Sequence, residues 1–123
     1  MARILVVDDD ANVRAVLAET LVALGCEVTE AADGTIALEL VPRIMPDAVC
    51  LDLWMDGLPG LEVLDRLTRE HPGLPVVIVT ADPLIDTMRD ARAHGAFGYI
   101  RKPFDLGQLR QVLASALGRP RAT

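Results

Sequence analysis

Apolar runs and amphipathic stretches alternate five times along the 123 residues of the chain. Three of the apolar runs, "ILVV", "AVCL" and "VVIV", contain no polar residue, which is typical of strands covered on both faces. Strands and helices that alternate in this way form a parallel sheet with right-handed crossovers and helices on either side. A chain of this length can bury one hydrophobic core. The pattern therefore predicts a single doubly wound α/β domain with five parallel strands.

The residues between these runs predict where the helices begin and end. Asp10, Asp33 and Asp105 suit helix N-caps, and Gly25 and Gly95 suit the ends of two helices. The segment "EVTEA" alternates apolar and polar residues, which indicates a more exposed, peripheral strand. The predicted strands are Arg3–Asp8, Glu27–Ala31, Asp47–Asp52, Pro75–Thr80 and Phe97–Arg101, and the predicted helices cover about 11–25, 34–42, 60–71, 84–94 and 105–117.

Reactive polar residues stand where four of the predicted strands end. Asp8 and Asp9 close the first strand, Asp52 the third and Thr80 the fourth, and Lys102 follows the fifth. In doubly wound sheets the functional crevice lies beyond the carboxyl ends of the strands. We therefore expect these side chains to meet in one site.

The chemistry of this set favours a phosphoryl group and a metal ion. Three neighbouring carboxylates repel one another unless they share a cation, and Mg²⁺ prefers such oxygen ligands. Lys102 is the only lysine, against eleven arginines, and a compact ammonium pairs well with phosphate. Thr80 adds a hydroxyl donor. A carboxylate in this surrounding can act as a nucleophile and form an acyl phosphate.

The overall composition excludes several other functions. A formal charge of −6 argues against nucleic acid as a direct partner, because phosphate binding needs a basic face. No apolar run approaches the length of a membrane span, and the apolar stretch near the N-terminus is too short and too acidic for a secretory signal. We expect a cytoplasmic protein without membrane contact, in which Cys26 and Cys50 are reduced and largely buried thiols.

Four motifs resemble those of the receiver domain of two-component response regulators. They are "VVDDD", "LDLWM" with Asp52, "VTA" with Thr80 and "YIRKPF" with Lys102. The resemblance extends over essentially the whole chain, with residues 1–118 as the receiver and 119–123 as a frayed tail. It implies a (βα)5 flavodoxin-like fold with strand order 2-1-3-4-5.

The resemblance also implies a role for each motif residue in the acidic site. Asp52 is the expected phosphoacceptor. Mg²⁺ is expected to be held by Asp9 directly, by Asp8 largely through water, by Asp52 and by the backbone carbonyl of Trp54. The family usually has a proline where this chain has Asp56, and a smaller or polar residue at position 54. These two departures leave the shape of the loop after the third strand open.

The remaining motif residues are implied to form the switch. Thr80 matches the switch hydroxyl, Lys102 the lysine that pairs with the phosphoryl group, and Tyr99 the aromatic residue that turns inward on activation. The expected function is therefore a Mg²⁺-dependent transfer of a phosphoryl group from a histidine kinase to Asp52, which then changes partner binding. The chain would catalyse only its own phosphorylation and dephosphorylation.

Two other functions remain as alternatives. One is a Mg²⁺-dependent phosphohydrolase that works through an aspartyl phosphate. That class typically needs an aspartate two residues after the nucleophile, where this chain has Trp54. The other is a pseudo-receiver that binds partners without phosphorylation, against which the intact set of Asp9, Asp52, Thr80 and Lys102 speaks.

The expected partners are a sensor histidine kinase or phosphotransfer protein upstream and an effector protein or domain downstream. The sequence leaves a phosphorylation-dependent homodimer open. It also leaves open whether the chain acts alone or was cut from a longer regulator, because no DNA-binding or catalytic segment follows residue 118.

Overall fold

Strands and helices alternate along the whole chain in the computed structural model, which describes residues 1–55, 57–81 and 85–118. The strands are β1 (Arg3–Val7), β2 (Glu27–Ala31), β3 (Ala48–Leu51), β4 (Val76–Thr80) and β5 (Gly98–Arg101). The helices are α1 (Ala11–Ala23), α2 (Gly34–Ile44), α3 (Gly60–Glu70), α4 (Ile85–Ala93) and α5 (Leu106–Gly118).

The five strands form one parallel sheet in the order β2-β1-β3-β4-β5. This order confirms the flavodoxin-like fold that the resemblance implied. The alternating segment "EVTEA" is β2, which lies at one edge of the sheet and is only partly buried. The three continuous apolar runs are the central strands, whose neighbours on both sides and both faces keep them from water.

Helices cover both faces of the sheet and divide the core into two layers. Successive residues of a strand point to opposite faces, so Leu5 and Val7 lie in one layer while Ile4 and Val6 lie in the other. The first layer contains Ala37, Val41, Val63, Leu64, Leu67 and Ala91 of α2, α3 and α4. The second layer contains Leu17, Leu21, Leu109, Leu113 and Ala116 of α1 and α5.

The predicted caps are confirmed. Asp10 Oδ1 accepts from the amides of Asn12 and Val13, Asp33 Oδ1 from that of Ile36, and Asp105 Oδ1 from that of Gly107. Beyond the ends of α1 and α4, Gly25 and Gly95 have φ angles of +91° and +100°, a region that favours glycine.

Several predicted boundaries are wrong by one or two residues. The first and third strands end at Val7 and Leu51, so Asp8 and Asp52 lie just beyond the sheet. The second helix was expected to stop at Pro42, but it continues to Ile44 because the amide of Met45 still bonds to Val41 O.

Other expectations concern the thiols, the tail and the membrane. Cys50 is buried as expected, which raises its pKa to about 12, whereas Cys26 is only half-buried. No helix within the described residues is long and apolar enough to cross a membrane. The predicted tail 119–123, Asp56 and the first residue of the predicted fourth helix lie outside the described residues.

Candidate functional site: an acidic cluster with one lysine

The register of the sheet brings the predicted site residues together. Val7 of β1 lies opposite Leu51 of β3, so the next residues, Asp8 and Asp52, leave the sheet side by side. The amide of Asp52 donates to Val7 O at 3.0 Å, which fixes this alignment at the end of the strands. The two carboxylates therefore stand at the same edge because of strand pairing.

The same edge receives residues from β4 and the segment after β5. Thr80 is the last residue of β4 and is fully buried. The amide of Lys102 donates to Thr80 O at 2.8 Å, which carries the parallel pairing of β4 and β5 one residue further. Lys102 consequently starts at the level of the strand ends, and its side chain crosses towards the acidic pair.

Lys102 connects the two buried carboxylates. Its Nζ atom lies 2.6 Å from Asp8 Oδ2 and 3.5 Å from Asp52 Oδ2. The three side chains are 15%, 4% and 10% exposed, respectively, so water screens this ion pair much less than one at the surface. The shorter distance makes Asp8 the principal partner of the ammonium.

Asp8 is held at both carboxylate oxygens. Oδ2 accepts from Lys102, and Oδ1 accepts from the amide of Asp10 at 2.9 Å. Asp10 in turn caps α1. The carboxylate of Asp8 is therefore fixed relative to the start of α1.

Asp52 is buried and less well compensated. Burial raises its pKa above the ordinary 3.8, and the Asp8 carboxylate adds to this effect. The hydrogen bond from the amide of Trp54 to Oδ1 at 3.1 Å and the charge of Lys102 act in the opposite direction. The environment thus disfavours a negative charge on Asp52 in the absence of a further cation.

Asp9 completes an acidic cluster with the other two aspartates. One carboxylate oxygen from each of Asp8, Asp9 and Asp52 lies within 4.8 Å of the other two. Asp9 is exposed, whereas the other two are buried, so the cluster opens to solvent on the side of Asp9. Three carboxylates exceed the charge of one ammonium, and hard oxygen donors are the ligands that a divalent cation such as Mg²⁺ prefers. The donor set therefore fits such an ion.

The cluster lies in a cleft of about 340 Å³. The cleft is lined by Asp8, Asp9, Asp10, Val13, Asp52, Trp54, Thr80, Ala81 and Lys102. An apolar groove of about 470 Å³ adjoins it and shares Val13 and Lys102 with it. This groove is also lined by Asn12, Val16, Pro103 and Phe104.

Two of the predicted site residues lie at the margin of the cluster. Trp54 lines the cleft and is 61% exposed. Its backbone carbonyl as a metal ligand remains a prediction. Tyr99 on β5 is half-buried and packs against the core layer of α2, α3 and α4. Its register partner is Ile78, two residues before Thr80.

Arg14 of α1 also contacts this region, although no sequence motif pointed to it. Its Nη1 atom donates to the backbone carbonyl of Asp8 at 2.7 Å. An arginine one helical turn after the N-cap Asp10 was a signal for such a contact, because that spacing returns a long side chain towards the preceding loop.

Fold and site together define a doubly wound α/β domain with a carboxylate–lysine centre at the carboxyl edge of its sheet. Residues 4–114 match the response regulator receiver domain family, to which the chain therefore belongs. The phosphoacceptor function of that family in two-component signal transduction is the function of this chain.

Known proteins of the family resemble this chain closely. Sporulation initiation phosphotransferase F of Bacillus subtilis is 33% identical over 115 residues, which cover 94% of this chain and 93% of that protein. The receiver domain of NtrX from Brucella abortus superposes with a TM-score of 0.90 at 38% identity, covering 95% and 99% of the two chains. NtrC of Escherichia coli K12 is 37% identical over 112 residues, or 91% of this chain, which thus spans 24% of that transcriptional regulator.

The raised pKa of Asp52 predicts that its charge destabilises the metal-free protein. Above the folded-state pKa the ionised group lowers the free energy of unfolding, and this loss disappears as the pH falls through that pKa to the ordinary 3.8. In EDTA at neutral pH, we expect Asp52→Asn to raise the free energy of unfolding by about 1 kcal/mol, measured by urea denaturation. The gain should shrink towards pH 4.

The exposed Asp90 on α4 provides the control. Asp90→Asn removes the same charge from the surface and should change the free energy of unfolding by less than about 0.5 kcal/mol. An Asp52→Asn variant that is less stable than the parent protein at neutral pH would contradict this account of the cluster.

Proposed function

We propose that Asp52 is the phosphoacceptor of this receiver domain and that Asp8, Asp9, Asp52 and the carbonyl of Trp54 hold the Mg²⁺ ion on which the transfer depends. The observation that carries the proposal is the position of Lys102 Nζ, 2.6 Å from Asp8 and 3.5 Å from Asp52. When bound, Mg²⁺ neutralises the acidic cluster and the incoming phosphoryl oxygens.

Asp52 is suited to act as the nucleophile. Oδ1 is held by the amide of Trp54 and Oδ2 faces Lys102, so the orientation of the carboxylate is fixed before the donor arrives. Attack by a carboxylate oxygen on phosphorus forms an acyl phosphate as the bond from phosphorus to the donor breaks. Lys102 then pairs with the phosphoryl oxygens. The phosphorylated side chain carries more negative charge than the free Asp52 carboxylate, so its attraction for the ammonium is stronger.

The donor is a histidine kinase or a phosphotransfer protein, and the receiver catalyses only its own phosphorylation and dephosphorylation. The apolar groove beside the cleft supports a protein donor, because a surface that binds only a small phosphate would not need it. Val16, which lines this groove, is 54% exposed. The downstream partner is an effector protein or domain, and the phosphorylated form is a candidate for homodimer formation.

The two alternatives gain no support from the site. A phosphohydrolase would need an acidic side chain two residues after Asp52, where Trp54 stands. A pseudo-receiver would have no use for a buried lysine beside two buried carboxylates. Burying these charged groups lowers the stability of the domain, and a domain that never binds a phosphoryl group gains nothing in return.

Thr80 and Tyr99 form the switch in this proposal. Thr80 lines the cleft, and a phosphoryl group on Asp52 would attract its hydroxyl. A shift of Thr80 alters the end of β4, and Tyr99 lies on the neighbouring strand β5 at the level of Ile78. Its half-buried ring can then move inward into the volume that Thr80 leaves.

Phosphorylation of Asp52 is tested by incubating the protein with acetyl phosphate and Mg²⁺ and weighing the intact chain. We expect an adduct of one phosphoryl group on the parent protein. Asp52→Asn should carry no adduct because it lacks the nucleophile, and Asp9→Asn should show little because the ion is held more weakly. Asp90→Asn should label like the parent. An adduct that persists on Asp52→Asn would refute the assignment.

The switch is tested by amide hydrogen exchange in the presence of Mg²⁺ and beryllofluoride, a phosphoryl mimic. We expect the largest changes between residues 80 and 106, because Thr80, Tyr99 and Lys102 all lie in this part of the chain. Thr80→Val keeps the shape of the side chain but lacks the hydroxyl, so it should reduce these changes. If beryllofluoride binds the parent and residues 80–106 exchange as before, the proposed switch is wrong.

A further inference from the structure

Arg14 holds the backbone of the turn that follows β1, where Asp8 and Asp9 lie. Its Nη1 atom donates to Asp8 O at 2.7 Å, and its Nε atom donates to Glu30 Oε1 on β2 at 3.1 Å. The side chain is 18% exposed. A planar guanidinium held at two points in this way has little freedom to move.

The contact with Asp8 O controls more than Asp8 itself. The carbonyl of Asp8 and the amide of Asp9 belong to one planar peptide unit. Fixing the carbonyl therefore fixes the direction in which the chain enters Asp9. Asp9 is the exposed member of the acidic cluster, and the direction of its backbone sets the point from which its carboxylate extends.

Arg14 does this without occupying a metal ligand. Its two acceptors are a backbone carbonyl and Glu30, which lies outside the acidic cluster. Lys102, in contrast, already takes Asp8 Oδ2. The guanidinium thus stabilises the turn without bonding to a carboxylate of the acidic cluster.

We infer that Arg14 is a positioning residue for the metal site, which it serves by fixing the peptide unit between Asp8 and Asp9. This inference rests on the proposed function, since it concerns the same Mg²⁺ ion. Without Arg14 the peptide unit can rotate, and the acidic cluster must be ordered when the ion binds. The expected effect is weaker Mg²⁺ binding with an unchanged acceptor.

The chain contains a matched control at the opposite end of the same strands. Arg3 donates to the backbone carbonyl of Ile44 at 3.2 Å and pairs with Glu27 of β2 at 3.6 Å. Arg3 thus makes the same two kinds of contact as Arg14, one to a backbone carbonyl and one to a glutamate of β2. Because Arg3 lies at the amino end of the sheet, its removal changes stability without touching the acidic cluster.

The test is a Mg²⁺ titration of the parent protein, Arg14→Met and Arg3→Met, followed by the amide NMR signals of residues 8–10 and 52–54. We expect the dissociation constant of Arg14→Met to rise about tenfold and that of Arg3→Met to change by less than about twofold. At saturating Mg²⁺, Arg14→Met should be labelled by acetyl phosphate within about threefold of the parent rate, because only ion binding is impaired.

Each outcome has a distinct meaning. A parent protein that binds no Mg²⁺ refutes the proposed function itself. A parent that binds, with Arg14→Met binding equally well, refutes the role of Arg14 alone, and so does an equal loss in Arg3→Met. If Arg14→Met does not fold, the test is repeated with Glu30→Met, which removes the carboxylate that orients Arg14. If Glu30→Met binds Mg²⁺ as tightly as the parent does, the inference is overturned.

Discussion

The contact between Lys102 and the carboxylates of Asp8 and Asp52 is the interaction on which the site depends. One ammonium compensates two buried acids, with the shorter distance to Asp8 and the longer one to Asp52. Burial raises the pKa of Asp52, the Asp8 carboxylate adds to this effect, and the single ammonium opposes it without removing it. A divalent cation and a phosphoryl group would together change this balance of charge, which is the physical basis on which the centre can act as a switch.

The sheet makes this contact possible by aligning the ends of its strands. Val7 opposite Leu51 places Asp8 beside Asp52, and the bond from the amide of Lys102 to Thr80 O delivers the lysine to the same edge. Two apolar core layers keep those strands in register. Because a parallel sheet has the carboxyl ends of all its strands on one side, the acidic cluster lies beside the ends of β4 and β5, which are hydrogen-bonded to each other.

Sequence patterns predicted the fold and the members of the site, but not their contacts. The continuous apolar runs determined which strands are central, and the single lysine singled out Lys102. The continuation of α2 beyond Pro42 could not be predicted, since it depends on the hydrogen bond from the amide of Met45 to the backbone carbonyl of Val41. The contact of Arg14 could not be predicted for a related reason. Its acceptor is the backbone carbonyl of Asp8, which any residue at position 8 would offer, so no residue type in the sequence indicates the bond. The raised pKa of Asp52 could not be predicted from the sequence either, because its main cause is burial in the folded structure.

Because Lys102 is the only lysine of the chain, selective labelling with ¹⁵N-lysine gives a single side-chain ammonium signal that reports directly on the centre. Its chemical shift, measured with Mg²⁺ before and after addition of beryllofluoride, tests whether this ammonium responds to a phosphoryl group on Asp52. The account predicts a clear shift in the parent protein and none in Asp52→Asn. A signal that stays in place while the mimic is bound to the parent would contradict it.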